Sequence, residues 1–360
     1  MIYIENKIPS NITIGILGGG QLGLMLSEAA RKLGYKTHIF ANNKDEPALN
    51  HTDNITIADF NDKKALINFY ENCDIITFEF ENIPINALSN LNIYKKVIPN
   101  INSLKITQDR LLEKKFINSA GHKTTQFAAI NSRHDIEPAY ELIGGKGILK
   151  TRKFGYDGKG QFSIHNLLDL KYAWKELNEA PSILEKKIDF NTEISIIIAR
   201  DKNGVIKEFD LTENIHKDGI LIESNIPAKI SNRIEKKSKE IGISIINKLN
   251  YIGVLAIEMF IYKDSVLINE LAPRVHNSGH WTLDACETSQ FEQHIRAITG
   301  MPLGATERNS SATMKNLIGY QVQKIDKFYG KKNTKIHIYG KKEVRPGRKM
   351  GHITILDNKE

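Results

Sequence analysis

The sequence predicts a mixed α/β and α+β protein in three parts: an open parallel α/β domain over residues 1–104, a larger α+β domain over 105–297 and a small β-rich domain over 298–360. Three observations carry this prediction. An apolar run with a glycine-rich turn opens the chain, strand-length and helix-length segments alternate through the first hundred residues, and the last sixty are basic and mostly of β type. With 360 residues, 41% of them hydrophobic, the chain can bury more than one core.

Ile12 to Leu17 reads as a buried strand, Gly18-Gly19-Gly20-Gln21-Leu22-Gly23 as the turn after it, and the stretch reaching Leu33-Gly34 as an amphipathic helix before a strand at Tyr35 to Phe40. In such a βαβ start the glycines permit close backbone approach, and the helix N-terminus can receive an anion. The pattern matches a dinucleotide fingerprint; it also fits a turn that binds another ligand or lets helix and sheet pack closely. Further strands are expected at Ile55 to Ile57, Ile75 to Phe78 and Val97 to Pro99, with a helix at Lys63 to Glu71. Ligands of open parallel sheets sit beyond the carboxyl ends of the strands, where Glu79 and Glu81 follow Phe78. Pro84 opens a helix there, and the preference of helix N-termini for negative charge explains one carboxylate as readily as substrate binding does.

A helix is predicted over Thr107 to Ala120. Ile148 to Phe154 is strand-like and runs into Gly155 to Gln161, where three glycines alternate with functional side chains. Such a segment can wrap amides around phosphates while Lys150 and Lys159 supply charge. It lacks the Gly-Lys-Ser/Thr ending of a Walker A loop, and a flexible hairpin is the plain alternative. Ser182 to Ile188 is another strand, carrying Glu185, and Glu193 begins an apolar strand through Ala199. A strand edge can offer amide and carbonyl groups to an adenine, and a nearby carboxylate can take ribose hydroxyls.

Ala256 to Ile261 and Val266 to Leu271 read as a hairpin joined through Tyr262-Lys263-Asp264-Ser265. With Lys263, Asp264 and Ser265 as a three-residue loop, Tyr262 opposes Val266 and Glu258 falls across from Glu270. Opposed like charges are destabilising. A hard cation between the two resolves the conflict, and two carboxylates with open positions for phosphate oxygens is a common way of holding Mg²⁺; an edge hairpin with one solvated face is the plain alternative. The next segment, Leu271 to Trp281, packs Arg274, His276, Asn277, Ser278 and His280 into an irregular stretch, the composition of a functional loop.

The net charge of +8 comes from lysines scattered through an Ile-, Lys- and Asn-rich chain, with no dense basic run interleaved with aromatics, so no nucleic-acid partner is expected. Cys73 and Cys286 lack metal-ligand spacing and are expected as reduced thiols. No signal-peptide order and no apolar run of roughly 18 residues is present, which leads to a cytoplasmic expectation without membrane partners.

The order of elements (lysine strand, glycine loop, strand with Glu185, hairpin with Glu258 and Glu270) resembles the ATP-grasp superfamily. Within it, Gly18 to Gly23, Phe78-Glu79-Phe80-Glu81-Asn82, Gly155 to Gln161, Asn269 to Trp281, Tyr339-Gly340-Lys341 and Arg345 to His352 are similar to the N5-carboxyaminoimidazole ribonucleotide synthetase family over nearly the whole chain. The resemblance implies an ATP-grasp fold preceded by a Rossmann-like pre-ATP-grasp domain. It implies ATP contacts from Arg110, Lys150, Gly155, Tyr156, Asp157, Gly158, Lys159, Gly160, Gln161, Glu185, Lys186, Ile188, Glu193, His216, Asn269 and Glu270, with Mg²⁺, or Mn²⁺ in its place, on Glu258 and Glu270. Ala272 stands where many ATP-grasp enzymes have a metal-binding Asn, which leaves the third metal ligand open; Lys159 stands where some relatives have Arg. For the acceptor, aminoimidazole ribonucleotide, Lys341, Arg348 and Lys349 would hold the 5′-phosphate, with Gln21, Leu22, Glu79 and Asn277 near ribose and amine.

The implied reaction is carboxylation of that amine through carboxyphosphate made from ATP and bicarbonate. Lys150 and Arg274 would neutralise charge, while Tyr156, Asp157, Lys159 and His276 would position the reactants or exchange protons. A homodimer and delivery of a labile product to a partner mutase are further implications. A formate-dependent glycinamide ribonucleotide transformylase would share the ATP site, and a nicotinamide dehydrogenase would use the first glycine turn but leave Glu258 and Glu270 unexplained.

Overall fold

The computed structural model describes residues 9–85, 88, 96–153, 155 and 160–357. The first sheet is parallel, built from β1 (Thr13–Leu17), β2 (Lys36–Ala41), β3 (Asn54–Ile57) and β4 (Ile75–Phe78) in the order β3-β2-β1-β4. Ile14, Ile16, Ile39 and Ile76 are fully buried because both faces of the sheet are covered. Helix α1 (Gln21–Lys32) turns Leu22, Leu26 and Ala30 inward. Helix α2 (Lys63–Glu71) starts where Asp62 accepts the amides of Lys64 and Ala65. The strand expected at Val97 to Pro99 is only a single bridge from Val97 to Ile76, since Pro99 has no amide to continue a ladder. The helix expected from Pro84 lies largely outside the described residues.

A separate helix, α3 (Ile101–Thr107), precedes the helix predicted from Thr107 to Ala120, which runs over Arg110–Ser119 (α4). Asp109 separates them. Its backbone is extended, its carboxylate accepts the amide of Leu111 at 3.0 Å, and Arg152 clamps it through Nε at 3.0 Å and Nη2 at 2.6 Å.

A smaller antiparallel sheet follows, from β5 (Phe127–Ile130), β6 (Gly147–Thr151), β7 (Gln161–Ile164) and β8 (Ser182–Lys186) in the order β5-β8-β6-β7. With α5 (Ile136–Ile143) and α6 (Leu167–Glu176) it encloses its own core of Ile130, Leu149, Leu170, Trp174 and Leu184.

The third sheet has nine strands: β9 (Thr192–Arg200), β10 (Ile206–Glu208), β11 (Thr212–Lys217), β12 (Ile220–Ile226), β13 (Gly253–Tyr262), β14 (Ser265–Ala272), β15 (Ala312–Ile318), β16 (Thr334–Ile338) and β17 (Lys349–Leu356). Their order is β14-β13-β9-β11-β12-β15-β17-β16, with β10 on β9. The β-rich tail therefore continues the central sheet through the pairing of β15 with β12. Helices α7 (Asn232–Lys248) and α8 (Gln290–Thr299) pack on this sheet. One core joins Ile14 and Leu26 to Ile197, Val254 and Trp281 and to Met314 and Tyr339. No helix among the described residues is long and apolar enough to cross a membrane.

His294 on α8 ties the first sheet to the third: its Nδ1 accepts the Val254 amide at 3.1 Å and its Nε2 meets Thr77 Oγ1 at 2.8 Å. Burial pushes this imidazole down to about 3. The folded ring refuses a proton that the unfolded chain takes below about pH 6.5, so the contribution of His294 is complete above that pH and is lost as pH falls toward the folded value. The expected slope is on the order of 1.4 kcal/mol per pH unit in that window. Urea unfolding of wild type and His294→Gln between pH 4 and pH 8 measures it, and the variant should lose that share of the slope.

Candidate active site

The β13–β14 pairing places Glu258 directly opposite Glu270. It does so by a different route from the one the sequence suggests. The loop has two residues, Lys263 and Asp264, both with positive φ, and Tyr262 opposes Ser265. That turn alone would set Asn269 opposite Glu258; a β-bulge adds Asn269 as an extra residue on β14 and returns Glu270 to the pair.

Around this pair the charges are uneven. Being recessed would raise Glu270, but Arg110 and Lys150 outweigh that and hold it low, with Arg110 Nη1 at 3.3 Å. Glu258, 6% exposed, is raised by burial and then by Glu270 and Glu193. Glu193 is itself paired with His216 Nδ1 at 2.9 Å, and ligand atoms of Glu193, His216 and Glu258 all lie within 4.8 Å of one another. A buried carboxylate crowded by two others suits a divalent cation, and an all-carboxylate edge suits a hard one such as Mg²⁺.

One side of the cleft rests on Glu185. Lys150 Nζ approaches one of its oxygens at 3.2 Å and Lys114 Nζ the other at 3.2 Å. Burial alone would raise this carboxyl; Lys114, Lys150 and Arg110 bring it to about 2. Lys114 is 1% exposed and also donates to the Asn269 carbonyl at 3.3 Å. Sequence reasoning missed it, together with Glu113, which accepts the Leu271 amide at 2.8 Å and is pushed up to about 8 by burial and by Glu270. The available signal was helical spacing: Arg110, Glu113, Lys114 and Ile117 share one face of α4.

The other side forms where the first domain meets the C-terminal strands. Gly20 and Gly23 donate their amides to Glu79 at 2.6 and 2.8 Å, so the anion at the N-terminus of α1 is the protein's own carboxylate. Burial raises Glu79 against these two bonds. Lys341 Nζ donates to Gln21 Oε1 at 2.8 Å and to the Lys349 carbonyl at 2.7 Å, and is pushed down to about 8 by burial and then by Arg348. Arg348 donates to the Glu343 carbonyl at 2.9 Å. Arg274 is held through Nε by Glu81 at 2.9 Å, another contact the sequence did not reveal. His276 Nε2 stands 3.5 Å from Glu258, and burial followed by Arg274 and Lys349 keeps this ring well below its ordinary value. Neither amide atom of the buried Asn277 side chain has a hydrogen-bond partner among the described residues.

A cleft of about 580 Å³ brings these parts together, lined by Gln21, Leu22, Glu79, Arg110, Lys150, Gly155, Gln161, Glu193, His216, Glu258, Asn269, Glu270, Arg274, His276, Asn277 and Lys349. Glu185 lies behind Lys150, and Lys341 behind Gln21. Lys186 is exposed at the end of β8, half-buried Ile188 follows it, and neither they, Gly160 nor Arg348 line the cleft. Tyr156, Asp157, Gly158 and Lys159 lie outside the described residues.

Family models match the chain in three consecutive stretches: a ribonucleotide synthetase preATP-grasp domain over residues 11–108, an ATP-grasp domain over 115–291, and a phosphoribosylaminoimidazole carboxylase C-terminal domain over 312–360. Fold and cleft thus define an ATP-grasp ligase. The chain is 46% identical over 355 residues to an N5-carboxyaminoimidazole ribonucleotide synthase of Brucella melitensis, covering 98% of both. Its fold matches the Staphylococcus aureus N5-carboxyaminoimidazole synthetase complexed with ADP at a TM-score of 0.93 and 38% identity, over 98% of this chain and 95% of that one. It also matches the Aspergillus clavatus synthase in complex with ADP and 5-aminoimidazole ribonucleotide at 0.89 and 28% identity, over 96% and 94%. The chain belongs to the N5-carboxyaminoimidazole ribonucleotide synthase family.

Removing Lys114 leaves Glu185 buried with one of its two lysines. Lys114→Met should therefore lower stability by about 3–5 kcal/mol. Urea denaturation measures the loss, which Lys114→Arg should largely restore.

Proposed function

We propose that the protein carboxylates 5-aminoimidazole ribonucleotide to N5-carboxyaminoimidazole ribonucleotide in purine biosynthesis, using ATP and bicarbonate and releasing ADP and phosphate. The observation that carries this reading is a cleft lined by Lys150, the Glu258–Glu270 pair and Lys349, with Glu185 holding Lys150 from outside the lining and Lys341 joined to Gln21 and to the Lys349 carbonyl. Bicarbonate attacks the γ-phosphate of ATP to give carboxyphosphate, and the aminoimidazole nitrogen takes the carboxyl group from it or from the CO₂ it releases. Phosphoryl transfer asks the protein for positioning and charge stabilisation. Lys150 and Arg110 meet the phosphates, and Arg274 meets the transferred group. Glu258 and Glu270 would hold Mg²⁺, or Mn²⁺, which when bound neutralises phosphate oxygens.

In this reading the ATP contacts extend through Gly155 to Gln161, Glu185, Lys186, Ile188, Glu193, His216, Asn269 and Glu270, with Tyr156, Asp157, Lys159 and His276 serving the carboxyl transfer. Gln21, Leu22, Glu79 and Asn277 shape the acceptor end, and Lys341, Arg348 and Lys349 neutralise its 5′-phosphate. The unpartnered amide of Asn277 supports that assignment. The proposal keeps the division at 1–104, 105–297 and 298–360, a cytoplasmic homodimer, and a mutase as the consumer of the labile product. The dehydrogenase alternative loses its footing, because Glu79 occupies the turn where a dinucleotide pyrophosphate would lie.

ADP release with bicarbonate and aminoimidazole ribonucleotide, compared with formate and glycinamide ribonucleotide, tests the reaction: stimulation by the first pair alone is expected, and turnover of the second pair would reassign the substrate. Glu270→Ala should abolish ADP release. Lys341 needs its proton to meet a phosphate and loses it near pH 8, so kcat/KM for the ribonucleotide should fall above that pH. Lys341→Arg should move the fall to higher pH, and Lys341→Ala should raise the Michaelis constant at every pH.

A further inference from the structure

A chain of buried hydrogen bonds leads from the central sheet to His276. Ser224 Oγ on β12 donates to Asn214 Oδ1 on β11 at 2.8 Å, and Asn214 Nδ2 donates to Ser195 Oγ on β9 at 2.9 Å. Ser195 Oγ donates to Ser278 Oγ at 2.7 Å, and Ser278 Oγ lies 2.9 Å from His276 Nδ1. The four chain residues are 0–5% exposed, and His276 is 9% exposed. The direction of the chain is fixed at its last link. The Ser278 backbone amide, which can only donate, also points at His276 Nδ1, 3.3 Å away. Nδ1 therefore presents its lone pair, the Ser278 hydroxyl must donate to it, and each hydroxyl behind follows in the same sense. An imidazole that accepts at Nδ1 is neutral and carries its hydrogen on Nε2. That nitrogen faces the cleft beside Glu258 at 3.5 Å.

The geometry points to Ser278, Ser195, Asn214 and Ser224 as positioning residues that lock His276 as a neutral Nε2–H donor, so that His276 donates a hydrogen bond to the carboxyl oxygens in transit and does not take the proton of the attacking amine. What the donor meets rests on the carboxylation reading; the tautomer does not. The test is a long-range ¹H–¹⁵N spectrum of the whole protein labelled with ¹⁵N-histidine, with and without MgADP, the His276 signals being identified by their loss in His276→Gln. A pyridine-type Nδ1 and a pyrrole-type Nε2 are expected in both states; a hydrogen on Nδ1, or on both nitrogens, overturns the inference. Ser278→Ala leaves only the longer amide contact at 3.3 Å on Nδ1, so it should loosen the ring, admit the Nδ1–H tautomer in part and lower kcat for ribonucleotide-dependent ADP release on the order of 10- to 100-fold, with KM for ATP unchanged and activity regained in Ser278→Thr. Ser195→Ala should give the same change in smaller measure and serves if Ser278→Ala does not fold. Unchanged kcat in a folded Ser278→Ala with a mixed tautomer would refute the positioning role. The Nε2–H spectrum without any ADP release would uphold the tautomer and count against the reaction alone.

Discussion

An antiparallel pair gives directly opposed side chains nowhere else to go, and between β13 and β14 two of them are glutamates. The rest of the cleft follows from that conflict. Arg110 reaches Glu270 from α4, Lys150 from β6 and Arg274 from the loop after β14 contribute further positive charge, and His276 closes on Glu258. They come from α4, β6 and the loop after β14, so the site exists only when those elements are assembled. Glu258 still keeps a raised carboxyl, so the pair retains a deficit of positive charge.

The two ends of the cleft are built differently. The end at Lys349 stands on one continuous core running through the parallel sheet, the nine-stranded sheet and the C-terminal strands. The end at Lys150 includes a lobe with its own core. Polar clamps tie that lobe to α4 and the turn before it: Arg152 to Asp109, Lys114 to Glu185, and Arg110 to the Gly155 carbonyl at 3.4 Å. Such contacts hold an orientation yet exchange partners with little cost when a charged ligand offers new ones.

What was legible in the sequence is what local pattern determines. Apolar runs and glycine punctuation located β1, β4, α2 and the hairpin, because burial and backbone freedom act at short range. The pairing of Glu258 with Glu270 was reached through a loop one residue too long, and the bulge at Asn269 supplied the missing residue; register depends on the whole ladder, which no short segment encodes. Asp109 sets the start of α4, and the residue that clamps its carboxylate, Arg152, lies 43 residues away. Lys114 offered only its helical spacing and Glu81 only its place after β4: a charged residue gains its full meaning from a partner that only the fold brings near.

The first glycine turn shows how a sequence signature can be right about physics and open about the ligand. Helix α1 does present donor amides to an anion, as its glycines suggest, and a Cβ on Gly20 would come within 2.5 Å of the carboxylate that fills the place. The anion is Glu79, delivered by β4, the strand paired with β1. Supplying that charge internally satisfies the helix terminus without a cofactor, and it leaves Gln21 at the rim of the cleft, where its carboxamide holds Lys341. The same glycines that elsewhere admit a pyrophosphate here bring a carboxylate into one wall of the cleft, with a lysine held behind it, so the turn shapes that wall through the side chains it positions.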